Sequence, residues 1–112
     1  MAMTLEDAKL CVGSGWHALL EQAWQVLQQH GCEPVGCKEK YGGLRVEWYW
    51  NYEQLPLDDD LDYDSVITAI MALEDTSYHI CECCGAAGEP HKVQGWWKTT
   101  CLTCTAKRKV AI

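Results

Sequence analysis

Phenylalanine is missing from the 112 residues, and six Trp and five Tyr supply the bulky apolar surface in its place. No apolar run approaches the ~20 residues that a membrane-spanning helix needs, so no spanning helix is expected. The opening "MAMTLEDAKL" is acidic where a secretory leader needs an apolar segment, so no signal peptide is expected either. Internal repeats and low-complexity tracts are absent. No Ser/His/Asp or Cys/His arrangement suggests a nucleophile, and Gly42-Gly43 is too short to cradle a phosphate. These absences predict a soluble cytoplasmic domain without obvious catalytic machinery.

What is present is a surplus of cysteine and of acid. Eight cysteines in a reducing compartment point to metal ligands or buried thiols over a disulfide framework. The net charge of −7 is unevenly spread. Residues 1–78 carry four basic and fourteen acidic side chains, whereas residues 79–112 carry five basic and two acidic. Four zinc-bound thiolates would bring that second segment close to neutrality, and the acidic remainder repels nucleic-acid phosphate at long range.

Hydrophobic spacing predicts an α+β fold. Thr4, with Glu6 and Asp7 after it, marks a helix start, and the glycines of "VGSGW" mark a break, with Ser14 as a cap for the next helix. Trp16, Leu19, Leu20, Ala23, Trp24 and Leu27 share one face of a helix over 16–30, stopped by Gly31. Pro34 excludes helix in the next stretch. Leu44, Val46, Trp48 and Trp50 alternate with polar neighbours as a half-buried strand, paired through the "YGG" turn with residues 34–40. The helix over 16–30 is expected to cover this antiparallel hairpin. A further helix is expected over 64–77, with Val66, Ile67, Ile70, Met71 and Leu73 on its apolar side. The preceding "LPLDDDLDYD" fails as a calcium loop starting at Asp58, because Tyr63 replaces the required glycine and Ala69 the closing glutamate. It reads as a solvated, acidic lead into the helix. The organisation expected is a core over 1–78 with a zinc-ribbon-like lobe over 79–112 packed on it.

The strongest chemical signal is a pair of C-x2-C units. Cys81 and Cys84, with Gly85 directly after, face Cys101 and Cys104 across sixteen intervening residues. Each tight turn presents two sulfurs on one side, and two such turns can surround a tetrahedral Zn2+ at about 2.3 Å. Four thiolates close the shell and leave no position for a reacting water, and "PHKV" has no glutamate to complete a deaminase-type centre. One structural zinc ion is therefore expected. Cys83 points away if its neighbours point in, although Cys83, His79 or His91 could each replace one ligand. Cys11, Cys32 and Cys37 contain no C-x2-C pair and read as buried or incidental thiols.

Several segments together resemble a family of small, functionally uncharacterised proteins encoded by phages and prophages. They are "GSGWHALLEQ" at 13–22, "CKEKYGGLRVEW" at 37–48, "ALEDTSYHICECCGAAG" at 72–88 and "GWWKTTC" at 95–101. The resemblance implies an aromatic Gly-Gly-Leu-Arg hairpin, a helix and a zinc-ribbon-like ending ligated by Cys81, Cys84, Cys101 and Cys104, in a protein of the bacterial host cytoplasm. It supplies no activity, and Cys83 departs from the family pattern.

Two places could meet a partner. Arg45 or Lys40 could reach outward from the hairpin, although Arg45 could equally pair with a cross-strand acid. Of Trp96 and Trp97, one is expected to lid the zinc turns while the other points away, giving Trp97 beside Lys98 as an anchor. The function expected is a non-enzymatic protein-interaction module that engages a host protein. The alternatives are a nucleic-acid regulator using Lys98, Lys107, Arg108 and Lys109, and an acidic inhibitor whose Asp58–Asp64 run imitates DNA phosphates.

Overall fold

Helix α1 (Leu5–Lys9) begins where Thr4 Oγ1 accepts the Asp7 amide at 3.1 Å, with Glu6 and Asp7 in its first turn. The computed structural model describes residues 3–50, 60–93 and 95–110. After α1 a 3-10 turn, Ser14–Trp16, leads into α2 (His17–Gln29). Trp16, not Ser14, holds the capping position of α2, and the Ser14 hydroxyl is engaged elsewhere. Then come β1 (Cys32–Lys40), β2 (Gly43–Trp50), α3 (Asp60–Ser77), β3 (Glu89–Val93), β4 (Trp96–Thr100) and α4 (Leu102–Val110). The fold is α+β: helices with two small antiparallel sheets, the second belonging to a C-terminal cysteine-bearing lobe of zinc-ribbon-like form.

The spacing on α2 does what it predicts. Leu19, Leu20, Ala23, Trp24 and Leu27 are buried, and Trp16 joins them from the preceding turn. Full burial of Leu20, Leu27 and Leu44 contributes about 1.5–3 kcal/mol each. On α3 the buried stripe is Val66, Ile70 and Ser77, with Leu73 half-buried. Met71 lies off that stripe, one residue and 100° from Ile70, and is 55% exposed. The helix also starts four residues before the expected 64, so Asp60, Asp62 and Asp64 all fall in its opening turns, where the helix dipole favours acid. Asp58 and Asp59 lie outside the described residues, as do the side chains of Asp60 and Asp62.

β1 and β2 pair antiparallel from Cys32↔Trp50 to Lys40↔Gly43. Tyr41 (φ 54) and Gly42 (φ 84) form the two-residue turn; both need the left-handed region, and glycine enters it without a Cβ clash. The register shifts between Pro34 and Gly36. Val35 is thus an extra residue, and the bulge keeps Cys32, Pro34, Cys37 and Glu39 on one face despite the odd spacing. That face meets Leu44, Val46 and Trp48 over the helical core. α2 packs on β1 and α3 on β2, so helices cover the hairpin as expected, the second joining the one over 16–30. α3 also serves the open edge of β2. Ser77 Oγ accepts the Leu44 amide and Glu74 Oε2 the Val46 amide, each at 2.8 Å, which shields an edge that could otherwise recruit a foreign strand. No helix among the described residues is long and apolar enough to cross a membrane.

Candidate metal centre

The first cysteine pair sits in a turn closed by its own backbone. The Gly85 amide donates to the Cys81 carbonyl at 2.9 Å and the Cys81 amide to Ala86 at 2.7 Å, while Ile80 and Ala87 form a bridge behind them. Gly85 takes φ 82, the conformation a side chain at this corner would resist. The second pair begins where β4 ends. Cys101 immediately precedes α4 and Cys104 lies in its first turn, with the Cys104 amide donating to Cys101 Sγ at 3.4 Å. The hairpin of β3 and β4 spans the interval and brings the two turns together.

All four sulfurs, of Cys81, Cys84, Cys101 and Cys104, lie within 4.8 Å of one another. Those of Cys84 and Cys101 are 3.7 Å apart. A tetrahedron with metal–sulfur bonds of about 2.3 Å has sulfurs about 3.8 Å apart, so the donor set fits such an ion after a sub-ångström contraction. These four residues could hold a metal ion.

Electrostatics within the cluster are uneven. Burial disfavours the Cys81 thiolate, but amides of Cys101, Cys84 and Cys83 and the Cys84 thiol donate to it, and the balance brings it down from 9.0 to about 6. The amide and thiol of Cys104 likewise pull Cys101 down. At Cys84 the Ala86 amide favours the thiolate, yet donation to Cys81 and Cys101 prevails and raises it. Cys104, donating to Cys101 and Cys81, is pushed up as well. The thiolate is thus favoured at Cys81 and Cys101 and disfavoured at Cys84 and Cys104. A divalent cation entering the cluster displaces the remaining protons, so binding strengthens with pH.

The alternative ligands lie apart from this group. Cys83 stands outside the four-sulfur cluster, its carbonyl accepting the Ser14 hydroxyl at 3.0 Å. The ring of His79 is exposed. His91 Nε2 lies 2.6 Å from Thr100 Oγ1 and 2.9 Å from Thr105 Oγ1, and the Thr105 hydroxyl donates to the Cys101 carbonyl at 2.8 Å. His91 therefore steadies the second turn from behind.

The segment that reads as a break, "VGSGW", turns out to cradle the first cysteine turn. The Gly15 amide donates to the Glu82 carbonyl at 2.9 Å, and Trp16 Nε1 donates to the Ile80 carbonyl at 2.9 Å. A Cβ at Gly13 would overlap the Glu82 carbonyl, and one at Gly15 the Cys81 carbonyl. Two glycines flanking one serine are the sequence signal for so close an approach, though it is shared with ordinary loops. Trp96 and Trp97 are both exposed, at 72% and 43%, so neither serves as the expected lid; the Gly13–Trp16 backbone covers the turn.

The "KEKYGGLR" hairpin joins core to lobe. The Thr99 hydroxyl donates to the Gly42 carbonyl at 2.6 Å, and the Glu82 amide donates to the Thr99 carbonyl at 2.9 Å. Lys98 Nζ lies 3.1 Å from Glu39 and 3.9 Å from Glu82, whose side chain is buried. Gly43 has no Cβ because the Tyr78 ring occupies that space. Arg45 reaches back to the Tyr78 hydroxyl at 2.7 Å and its guanidinium lies 5.6 Å from that ring, so its partner is an aromatic and not a cross-strand acid. Lys38, opposite Arg45 in the ladder, pairs with Glu47. Arg45 and Lys98 are thus held by intramolecular contacts, while Trp97 remains accessible. The side chains of Lys107, Arg108 and Lys109 lie outside the described residues.

No protein-family model, curated protein or solved structure matches the chain.

Proposed function

We propose that Cys81, Cys84, Cys101 and Cys104 bind one zinc ion in a structural role, and that the protein acts as a non-enzymatic interaction module. The observation that carries this reading is the closed set of four sulfurs within 4.8 Å, tied into the fold on both sides. Four thiolates saturate a tetrahedral ion and leave no position for substrate or water, which suits a staple and not a catalyst. Zinc is favoured over harder cations because every donor is a soft sulfur. Binding energy of roughly 10–16 kcal/mol, as in isolated zinc-finger peptides, is ample to order a lobe built from two short strands and a nine-residue helix.

The interaction role is supported by exposed Trp96, Trp97 and Tyr41 on elements that the metal lobe and core hold in place. The resemblance of the "CKEKYGGLRVEW" and "HICECCG" segments to phage and prophage proteins suggests a factor that engages a host protein in the bacterial cytoplasm. Nucleic-acid binding is the weaker reading, because the charge of −7 opposes a polyanion and Lys98 already faces two carboxylates. Native mass spectrometry of the protein purified from a bacterial lysate tests the proposal. One zinc per chain and a stoichiometric second polypeptide are expected; a metal-free chain with no companion would overturn it.

A further inference from the structure

The tips of the two hairpins form a common aromatic groove. Tyr41 projects from the first turn at 69% exposure, and Trp96 and Trp97 from the second at 72% and 43%. Between them lies a cavity of about 430 Å3 bounded by Glu39, Lys40, Tyr41, Gly95, Trp96 and Trp97. That volume is toward the lower end of the ~300–1,000 Å3 of small-ligand pockets, sized for a side chain and its flanking backbone. The walls are braced against each other by the Thr99–Gly42 hydrogen bond at 2.6 Å and the Lys98–Glu39 ion pair at 3.1 Å, so the groove is preformed. A partner would meet little ordering cost on the protein's side.

Charge at the groove is opposite in sign to that of the chain. Lys98 offsets one of the two carboxylates beside it, Glu39 and Glu82, and Lys40 and Lys92 outweigh the other. Lys40 and Lys92 are exposed and, among the described residues, engage in no ion pair. Their ammonium groups lie 5.7 Å from the Tyr41 ring centre and 5.6 Å from the Trp97 ring centre. Lys40 therefore bounds the slot and Lys92 stands over the ring of Trp97, one of its walls, on a protein of net charge −7. The same two contacts engage the Tyr41 and Trp97 rings, which disfavours the run of open aromatic faces that stacked nucleotides require.

We propose that this groove receives an extended acidic segment of a partner protein, which buries one large apolar side chain against Tyr41, Trp96 and Trp97 and aligns carboxylates with Lys40 and Lys92. The proposal rests on the interaction-module reading above and names the surface and the partner's chemistry. Aromatic anchors carry most of the energy of such contacts, while rim charges set specificity and encounter rate.

The test is selection of a displayed random dodecapeptide library on the immobilised, zinc-loaded full chain, with fluorescence anisotropy of the enriched peptides. Enriched sequences are expected to carry Asp or Glu on both sides of an aromatic or large aliphatic residue. Their affinity should fall on the order of thirtyfold with Trp96→Ala. It should fall about tenfold with Lys40→Glu plus Lys92→Glu, which reverses both rim charges without touching the core. Zinc content and circular dichroism of each variant establish that the fold is intact. Enrichment of neutral or basic peptides, binding unchanged by these substitutions, or tighter binding of an oligothymidylate probe would each overturn the proposal. If selected peptides bind another face, the groove assignment fails while the module reading stands. If no peptide is enriched and no protein is captured from lysate, both fail.

Discussion

Gly15→Ala is the sharpest perturbation of the contact between the core and the cysteine turn. An added methyl group would lie 2.6 Å from the Gly85 nitrogen and 2.7 Å from the Glu82 carbonyl carbon, and nearer still to the Cys81 carbonyl oxygen. All three are backbone atoms of the turn that carries two sulfurs, so no side chain can swing away to relieve the overlap. Overpacking typically costs 1–3 kcal/mol, and a clash with three fixed atoms belongs at the upper end, about 3 kcal/mol. For a chain of this length each kcal/mol moves the melting temperature by about 4 °C, giving a drop of about 12 °C. Because the turn must shift, zinc affinity should also fall at least about tenfold, read by competition with a chromophoric chelator. Gly95→Ala is the control. Its Cβ meets nothing within 4 Å, and its φ of 88 imposes only local strain of about 1–2 kcal/mol. It should lower the melting temperature modestly and leave zinc affinity unchanged. A Gly15→Ala protein melting within about 2 °C of the parent, with the same zinc affinity, would refute the cradle.

Other contacts make equally definite demands. Serine at Cys81, Cys84, Cys101 or Cys104 should weaken zinc binding by more than the roughly 10–100-fold typical of an outer partner, whereas Cys83→Ser should retain one zinc per chain by elemental analysis. Ser77→Ala removes the acceptor of the buried Leu44 amide and should cost about 1–3 kcal/mol in denaturant unfolding, without loss of metal. Burial, with Cys11 nearby, pushes the Cys37 thiol up to about 12, against 9.0 ordinarily. The folded chain therefore keeps a proton that the unfolded chain loses, and stability falls as pH rises from about 9 toward about 12. Cys37→Ala should flatten that alkaline limb in denaturant midpoints, whatever it costs at neutral pH.

Local patterns were legible in the sequence wherever one element decided them. The i, i+3, i+4 spacing from Trp16 to Leu27 defined a buried helical face, and the alternation from Leu44 to Trp48 defined the inward side of β2. The two C-x2-C units indicated a cluster that the fold assembles. Contacts between distant segments were not legible. Gly13 and Gly15 look the same whether they loosen a loop or admit a backbone, and only the approach of Cys81 and Glu82 distinguishes the two. Arg45 occupies an outward strand position, yet Tyr78, 33 residues away, claims its guanidinium. Strand alternation divides the adjacent Trp96 and Trp97 between lid and surface, and the fold does not. The second hairpin is exposed on both sides at that end, and alternation alone does not report which faces are covered. The Val35 bulge was hidden for a related reason, since the insertion shows only in the pairing.

X-ray absorption at the zinc edge, combined with elemental analysis of the purified full chain, reads the donor set of Cys81, Cys84, Cys101 and Cys104 itself. One zinc per chain is expected, with four sulfur scatterers at about 2.3 Å and no lighter neighbour in the shell. An oxygen or nitrogen ligand in the first shell, or protein folded without metal, would contradict that assignment.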